Sequence, residues 1–277
     1  MINIGRFNTL KILKQMHFGL YLVDTDGNEI LLPEREVPEN WKLGDDIEVF
    51  LYYDSEDRLI ATTEKPLAKV GDFTMLKVVS VNSIGAFLDW GLPKDLFLPY
   101  AEQTRPLREG LAIAVAIYKD NTDRIAASMR LDRHTSKNPS SFVENQKVDL
   151  FIVGKSDLGF KAIINDEQVG VLYENEVFQD IHYGQRTVGY IKNVREDGKI
   201  DLSLQPLGSF GAKDLGDKIL EILKAAGGSL PVTDKTSPED IYEQFGASKK
   251  KFKMALGGLY KSRAIIIDDK GIRLAPK

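Results

Sequence analysis

The 277-residue chain carries 37 Lys and Arg against 41 Asp and Glu, with 43% hydrophobic and 28% charged residues. That is the composition of a soluble globular protein, not one coated in positive charge. It has no cysteine, which excludes disulfides and thiolate metal sites and fits a reducing, cytoplasmic compartment. No apolar run approaches the roughly 20 residues that span a bilayer, and Lys11 and Lys14 interrupt the apolar run at the N-terminus, so neither a membrane span nor a signal peptide is expected.

Taken in chain order, the first feature is a glycine between apolar residues that recurs with fixed companions. Gly19, Gly85 and Gly159 are each followed 25 residues later by a second glycine: Gly44, Gly110 and Gly184. Leu32-Pro33-Glu34, Leu98-Pro99-Tyr100 and Leu172-Tyr173-Glu174 are centred 14 residues after the first glycine, and Arg58, Arg124 and Lys199 follow it by 39 or 40. Several spacings kept in register indicate one unit of roughly 65 to 70 residues used three times. The expected boundaries are 1–66, 67–137 and 138–208, with a different segment at 209–277.

Within a unit the pattern has period two. Met75–Val81, Ala86–Trp90 and Ala112–Tyr118 read as strands, separated by turns such as Asp24-Thr25-Asp26-Gly27, Asn121-Thr122-Asp123 and Glu196-Asp197-Gly198-Lys199. About five short strands in so few residues suit a closed Greek-key barrel, the OB-fold; a small sandwich is the alternative from pattern alone.

From Leu215 the period becomes helical, with Leu215, Ile219, Ile222 and Leu223 on one face and Gly227-Gly228 as the stop. Ser237-Pro238-Glu239-Asp240 opens a short second helix to about Phe245, and Ser248 caps a third to about Lys261. Residues 264–274 alternate as a hairpin around Asp268-Asp269-Lys270-Gly271. Three helices and a two-stranded wing resemble a winged-helix domain, whose third helix is the recognition element. Phe252, Leu256 and Leu259 should face its core. Lys250, Lys253 and Lys261 should lie outward, with Lys249, Lys251, Arg263, Lys270 and Arg273 close by. Gly257-Gly258 costs the helix about 1 kcal/mol per glycine; close helix packing is the expected reason, and backbone approach to phosphate is the alternative. Residues 209–277 are net +4 and residues 1–66 net −6, so a polyanion should approach from the C-terminal side.

The second unit carries the most specific residues. Val78 to Gly91 resembles the opening of ribosomal protein S1-type RNA-binding domains, and Asp120 through Arg124-Ile125-Ala126-Ala127-Ser128 resembles their close. The order of three such units and one winged helix is similar, over essentially the whole chain, to the bacterial conserved virulence factor B family, described as RNA-binding regulators of gene expression. The resemblance implies a multidomain, mainly β protein: three tandem S1-like OB-fold β-barrels plus a C-terminal α+β winged-helix domain. It also implies a nucleic-acid surface of two aromatics around the repeated glycine, a histidine, and the late Asp/Arg pair. Those positions hold Phe18 and Tyr21, then Ile84 and Phe87, then Leu158 and Lys161. Pro33, Pro99 and Tyr173 stand where the histidine would be. The late pair is Asp54/Arg58, Asp120/Arg124 and, changed in kind, Arg195/Lys199.

The third unit has thus exchanged rings for charge. Lys161, Arg195 and Lys199, with Lys155 and Lys192 nearby, suit phosphate contact more than base reading. His17, His134 and His182 are isolated, and no phosphate-binding glycine loop occurs. Asp24-Thr25-Asp26-Gly27 lacks the later ligands of a calcium loop. No enzyme, cofactor, metal or small-molecule substrate is expected. The expected partner is single-stranded RNA, gripped by the third unit and winged helix (Lys249, Lys250, Lys253 and Lys261), with stacking on Phe18, Tyr21 and Phe87 and a charge at Arg124. An adaptor for proteins or the ribosome, or a DNA-binding regulator, is the alternative.

Overall fold

A computed structural model describes residues 2–136, 142–177, 179–206, 212–233 and 235–275, with the backbone alone at 212–214. The expected boundaries at 137/138 and 208/209 lie outside the described residues. Packing divides the chain into two units: Met1–Lys137 with Asn165–Gln168, and Asn138–Ile164 with Val169–Lys277.

In the first unit, β1 (Phe7–Met16), β2 (Gly19–Val23), β3 (Glu29–Pro33), β4 (Asp46–Tyr53) and β5 (Leu59–Thr62) close a barrel in the order β1-β2-β3-β5-β4. Alternation does the sorting: Asn8, Leu10 and Ile12 of β1 point inward while Phe7, Thr9 and Lys11 point out. The second set, β6 (Phe73–Val81), β7 (Gly85–Asp89), β8 (Leu96–Pro99), β9 (Ala112–Lys119) and β10 (Ile125–Ser128), has the order β10-β9-β6-β7-β8. Its ladder is open between β10 and β8, though the two strands lie side by side. The two barrels share an apolar cluster: Phe50, Tyr52 and Ile60 of the first pack with Trp90, Leu92 and Leu96 of the second. The Trp90 ring meets Phe50 edge-on at 5.8 Å and Tyr52 at 6.3 Å. The connecting chain is bonded on both sides, Leu67 N–H to Trp90 O at 2.7 Å and Val70 N–H to Gly5 O at 2.9 Å.

In the second unit, β11 (Lys147–Ser156), β12 (Gly159–Ile164), β13 (Gln168–Tyr173), β14 (Arg186–Val194) and β15 (Ile200–Ser203) close a barrel with the strand order of the first. Then follow α1 (Ala212–Ala225), β16 (Ser229–Leu230), α2 (Pro238–Phe245), α3 (Lys249–Lys261), β17 (Ile265–Asp268) and β18 (Gly271–Leu274). Their core is Leu215, Ile219, Leu223, Ile241, Phe245, Phe252 and Leu256 against Ile265 and Ile272. The helix ends obey the sequence signals: Gly228 N–H reaches back to Leu223 O, and the Ser237 and Ser248 hydroxyls accept from Asp240 N–H and Lys251 N–H. The wing differs from expectation. It has three strands, because β16 adds to β18, and two residues are too few to show a period.

The spacings that defined the repeat are bonds and contacts. A Cβ at Gly19, Gly85 or Gly159 would sit 2.1, 2.3 or 2.1 Å from the carbonyl oxygen of Leu32, Leu98 or Leu172, so the close strand crossing admits only glycine. The second glycine donates to a first-strand carbonyl each time: Gly44 to Ile12, Gly110 to Val78, Gly184 to Ile152. The late pair closes a turn, with Asp54, Asp120 and Arg195 N–H donating to the carbonyls of Arg58, Arg124 and Lys199 at 2.9 Å.

Candidate nucleic-acid interface

In the first barrel Phe18 is 38% exposed beside the half-buried Tyr21, their rings edge-on at 6.0 Å. Lys14 sits 4.9 Å from the Tyr21 ring centre while its amine bonds Glu29 at 2.6 Å. The late pair is spent internally: Arg58 Nε and Nη2 donate to Asp54 Oδ2 at 2.9 and 2.7 Å. Burial acts to raise the Asp54 pKa, but hydrogen bonds from Arg58 and Glu56 outweigh it and hold the carboxyl below its usual range. One ring pair is therefore offered, without a free cation from the late pair.

Phe87 and Arg124 of the second barrel come together on one cleft of about 600 Å³ that also includes Tyr52, Tyr53 and Asp57 of the first barrel. Phe87 is half-buried and packs on Phe97 at 5.3 Å, while Ile84 is 62% exposed. Asp120 does not hold Arg124's guanidinium; its Oδ1 accepts from the backbone of Thr122 and Arg124. Arg124 Nη2 crosses instead to Asp57 Oδ2 at 3.0 Å. Lys94 joins it, donating to Asp54 O at 2.6 Å and Asp57 Oδ1 at 3.3 Å. Sequence reasoning missed both: Lys94 lies outside the repeated pattern, and Asp57 sits in a repeated turn whose reach to the neighbouring barrel no spacing reveals.

On the third barrel the expected basic residues are brought together but engaged. Lys155 pairs with Glu174 at 2.6 Å, Lys192 with Glu176 at 2.5 Å, Arg195 with Asp201 at 2.9 Å and Lys199 with Asp197 at 2.8 Å. Lys161, half-buried on β12, lies opposite Gly154 of β11. Tyr173, where the family's histidine is missing, is flanked by Lys192 at 5.8 Å and Arg195 at 5.9 Å from its ring centre. Its hydroxyl also accepts from Arg195 Nη2 and donates to Asp201. This face reads as an aromatic ring between two cations, each able to exchange a carboxylate for a phosphate.

Within the same unit, Gln205 Nε2 donates to Tyr242 OH at 2.9 Å and Gly246 O at 3.2 Å, joining the third barrel to α2 and its cap. A recess of about 210 Å³ between them is lined by Glu176, Lys192, Gln205, Tyr242, Ser248 and Lys251. Lys249 turns inward to Thr236 O at 2.8 Å, away from the face expected for it. Lys250, Lys253 and Lys261 lie outward on α3, as expected, with Lys251, Met254 and Tyr260. Among the described residues Lys250, Lys251 and Lys261 make no ion pair.

The glycine pair of α3 corrects the sequence expectation. A Cβ at Gly257 or Gly258 would meet nothing within 4 Å, so helix packing does not explain either one. Phe252, Ala255 and Leu256 supply the packed side, and the glycines leave bare backbone on the outer side.

Among the described residues no three His, Asp or Glu side chains could hold a metal, and no helix is long and apolar enough to cross a membrane. Residues 217–274 match the CvfB-like winged helix domain, and residues 4–64 and 70–130 each match the S1 domain, both non-catalytic modules. The third barrel lies outside these matches, though its strand order repeats the first. The chain is 31% identical to Uncharacterized protein YitL of Bacillus subtilis, covering 93% of this chain and 89% of that protein. It is 27% identical to Conserved virulence factor B of Staphylococcus saprophyticus, covering 99% and 95%. A crystal structure of a multidomain protein with nucleic acid binding domains from Streptococcus pneumoniae is similar at 25% identity and a TM-score of 0.42, covering 98% of both chains. The chain belongs to the CvfB-like family, built from S1 OB-fold barrels and a C-terminal winged helix.

Proposed function

We propose that the protein binds single-stranded RNA through the outer face of α3 and the adjoining Tyr173 face of the third barrel, and acts as a regulator of bacterial gene expression. The carrying observation is that α3 is composed against its own stability. Its first turn holds Lys249, Lys250 and Lys251 and no acid, where the helix dipole disfavours each cation by about 0.3–1 kcal/mol at low ionic strength. Gly257 and Gly258 cost about 1 kcal/mol each and serve no packing contact. Both choices make sense for a surface that meets phosphates: cations draw the polyanion in, and bare backbone lets it approach. Exposed Tyr260 adds a ring on which a base can stack.

The test is the affinity of the full chain for a fluorescein-labelled single-stranded RNA of about 12 nucleotides, at about 50 mM salt and above. Neutralising Lys250, Lys253 and Lys261 together to alanine should weaken binding at least about ten-fold and flatten the salt dependence by about 0.7 log unit per lost phosphate contact. Binding untouched by the triple change contradicts the proposal. Tighter binding to duplex DNA favours a DNA regulator. Partners that survive nuclease treatment, with no RNA affinity, favour a protein or ribosome adaptor.

A further inference from the structure

The late Asp/Arg pair has a different fate in each barrel. In the first, Arg58 folds back on Asp54; in the third, Arg195 turns to Asp201 and Tyr173. In the second, Arg124 leaves its own turn and reaches the first barrel's Asp57, 67 positions away in sequence. Lys94 converges on the same carboxylate. Each oxygen of Asp57 thus faces one cation, the arrangement in which a phosphodiester's two free oxygens would be held.

Asp57 itself is an unforced choice. It is the third residue past Asp54, in a left-handed conformation with φ 58°. The matching positions are Asp123, φ 61°, and Gly198, φ 80°. Glycine or asparagine would be at ease in all three. Asp123 pairs inside its own barrel with Lys119 at 2.8 Å. Asp57 alone of the three looks outward to a neighbouring barrel.

We propose that Asp57 is an internal phosphate mimic: the first barrel's β4–β5 turn occupies the cationic site of the second barrel and holds its nucleic-acid face closed. The apolar cluster around Trp90, Phe50 and Tyr52 keeps the two barrels together, so the carboxylate stays in place without a strong bond of its own. Arg124 and Asp57 are 59% and 52% exposed, and an ion pair so open to water contributes little to stability. A phosphate group brought in by RNA already held elsewhere on the chain can displace it. The cleft behind it, walled by Phe87 and Phe97, then becomes available to the strand.

This inference rests on the RNA reading for its probe, and its test separates the two. The same labelled RNA is titrated into full-length wild type, Asp57→Asn, Asp57→Gly and Asp123→Asn. Asparagine and glycine both tolerate the turn geometry. Removing the Asp57 charge should raise affinity about three- to ten-fold and steepen the salt dependence by about 0.7 log unit per freed cation. Adding Arg124→Ala to Asp57→Asn should abolish that gain. Asp123→Asn removes the same charge from the same turn position and should change little. An Asp57 variant that gains no more than Asp123→Asn overturns the inference, whether or not wild type binds. A gain specific to Asp57, alongside an α3 triple variant that binds as wild type does, upholds it while sinking the α3 reading.

Discussion

At the scale of single residues, glycines in the same chain should answer substitution in opposite ways. A Cβ at Gly85 would stand 2.3 Å from Leu98 O, a backbone atom fixed by strand pairing, and 2.7 Å from the Phe97 ring. Gly85→Ala should lower stability by about 2–4 kcal/mol. Gly257→Ala meets open space and should raise stability by about 1 kcal/mol. Denaturant titration of both variants checks the pair. Sequence spacing singled out Gly85 as part of a repeat, but the cause in both cases, a carbonyl at one glycine and open space at the other, depends on strand and helix neighbours that spacing does not give.

His134 gives a pH prediction. Its ring stacks on Tyr118 at 4.5 Å, and its buried Nε2 has no hydrogen-bond partner among the described residues. Burial lowers its pKa, assisted by Arg133 and opposed by Glu102. The unfolded chain then binds the proton more readily than the folded one. Stability from this residue is complete above its ordinary value of 6.5 and declines as pH falls from there through the lower folded pKa. His134→Phe, which keeps the stack and cannot charge, should lose less stability than wild type between about pH 7 and pH 5. Parallel loss in both proteins would show that His134 is not the titrating group.

At the scale of elements, the period-two runs, turn residues and caps made the barrels and the helices readable. Strands β6, β7 and β9 begin and end within two residues of their sequence expectation. Two things were not readable. The short β16 carries no periodicity of its own. The third barrel's lysines and Arg195 could be counted but their carboxylate partners could not, because Glu174, Glu176, Asp197 and Asp201 become neighbours only through turns and strand pairing. Helix α3 combines both lessons, since its lysines were legible and the openness of its glycines was not. Gly257→Ala with Gly258→Ala should therefore make the protein more stable and weaken RNA binding several-fold by holding the backbone off the strand. Thermal unfolding and RNA titration on one preparation test this opposition; unchanged binding in the stabilised variant would leave the glycines without a role at the interface.

At the scale of the whole molecule, the repeat made three similar units visible but not what separates them. Barrels one and two share side chains in one cluster, and the bond from Arg124 to Asp57 ties positions that no local pattern relates. Trp90→Ala should thus cost about 3–5 kcal/mol and weaken amide protection in both barrels of the first unit; loss confined to the second barrel would mean they unfold independently. The central claim belongs to the second unit, where α3 and the Tyr173 face should take the RNA. Hydrogen exchange of the full chain, with and without saturating single-stranded RNA, reads it directly. The account predicts slowed exchange over residues 249–261 and around Tyr173. Protection absent from both, with RNA demonstrably bound, would contradict it.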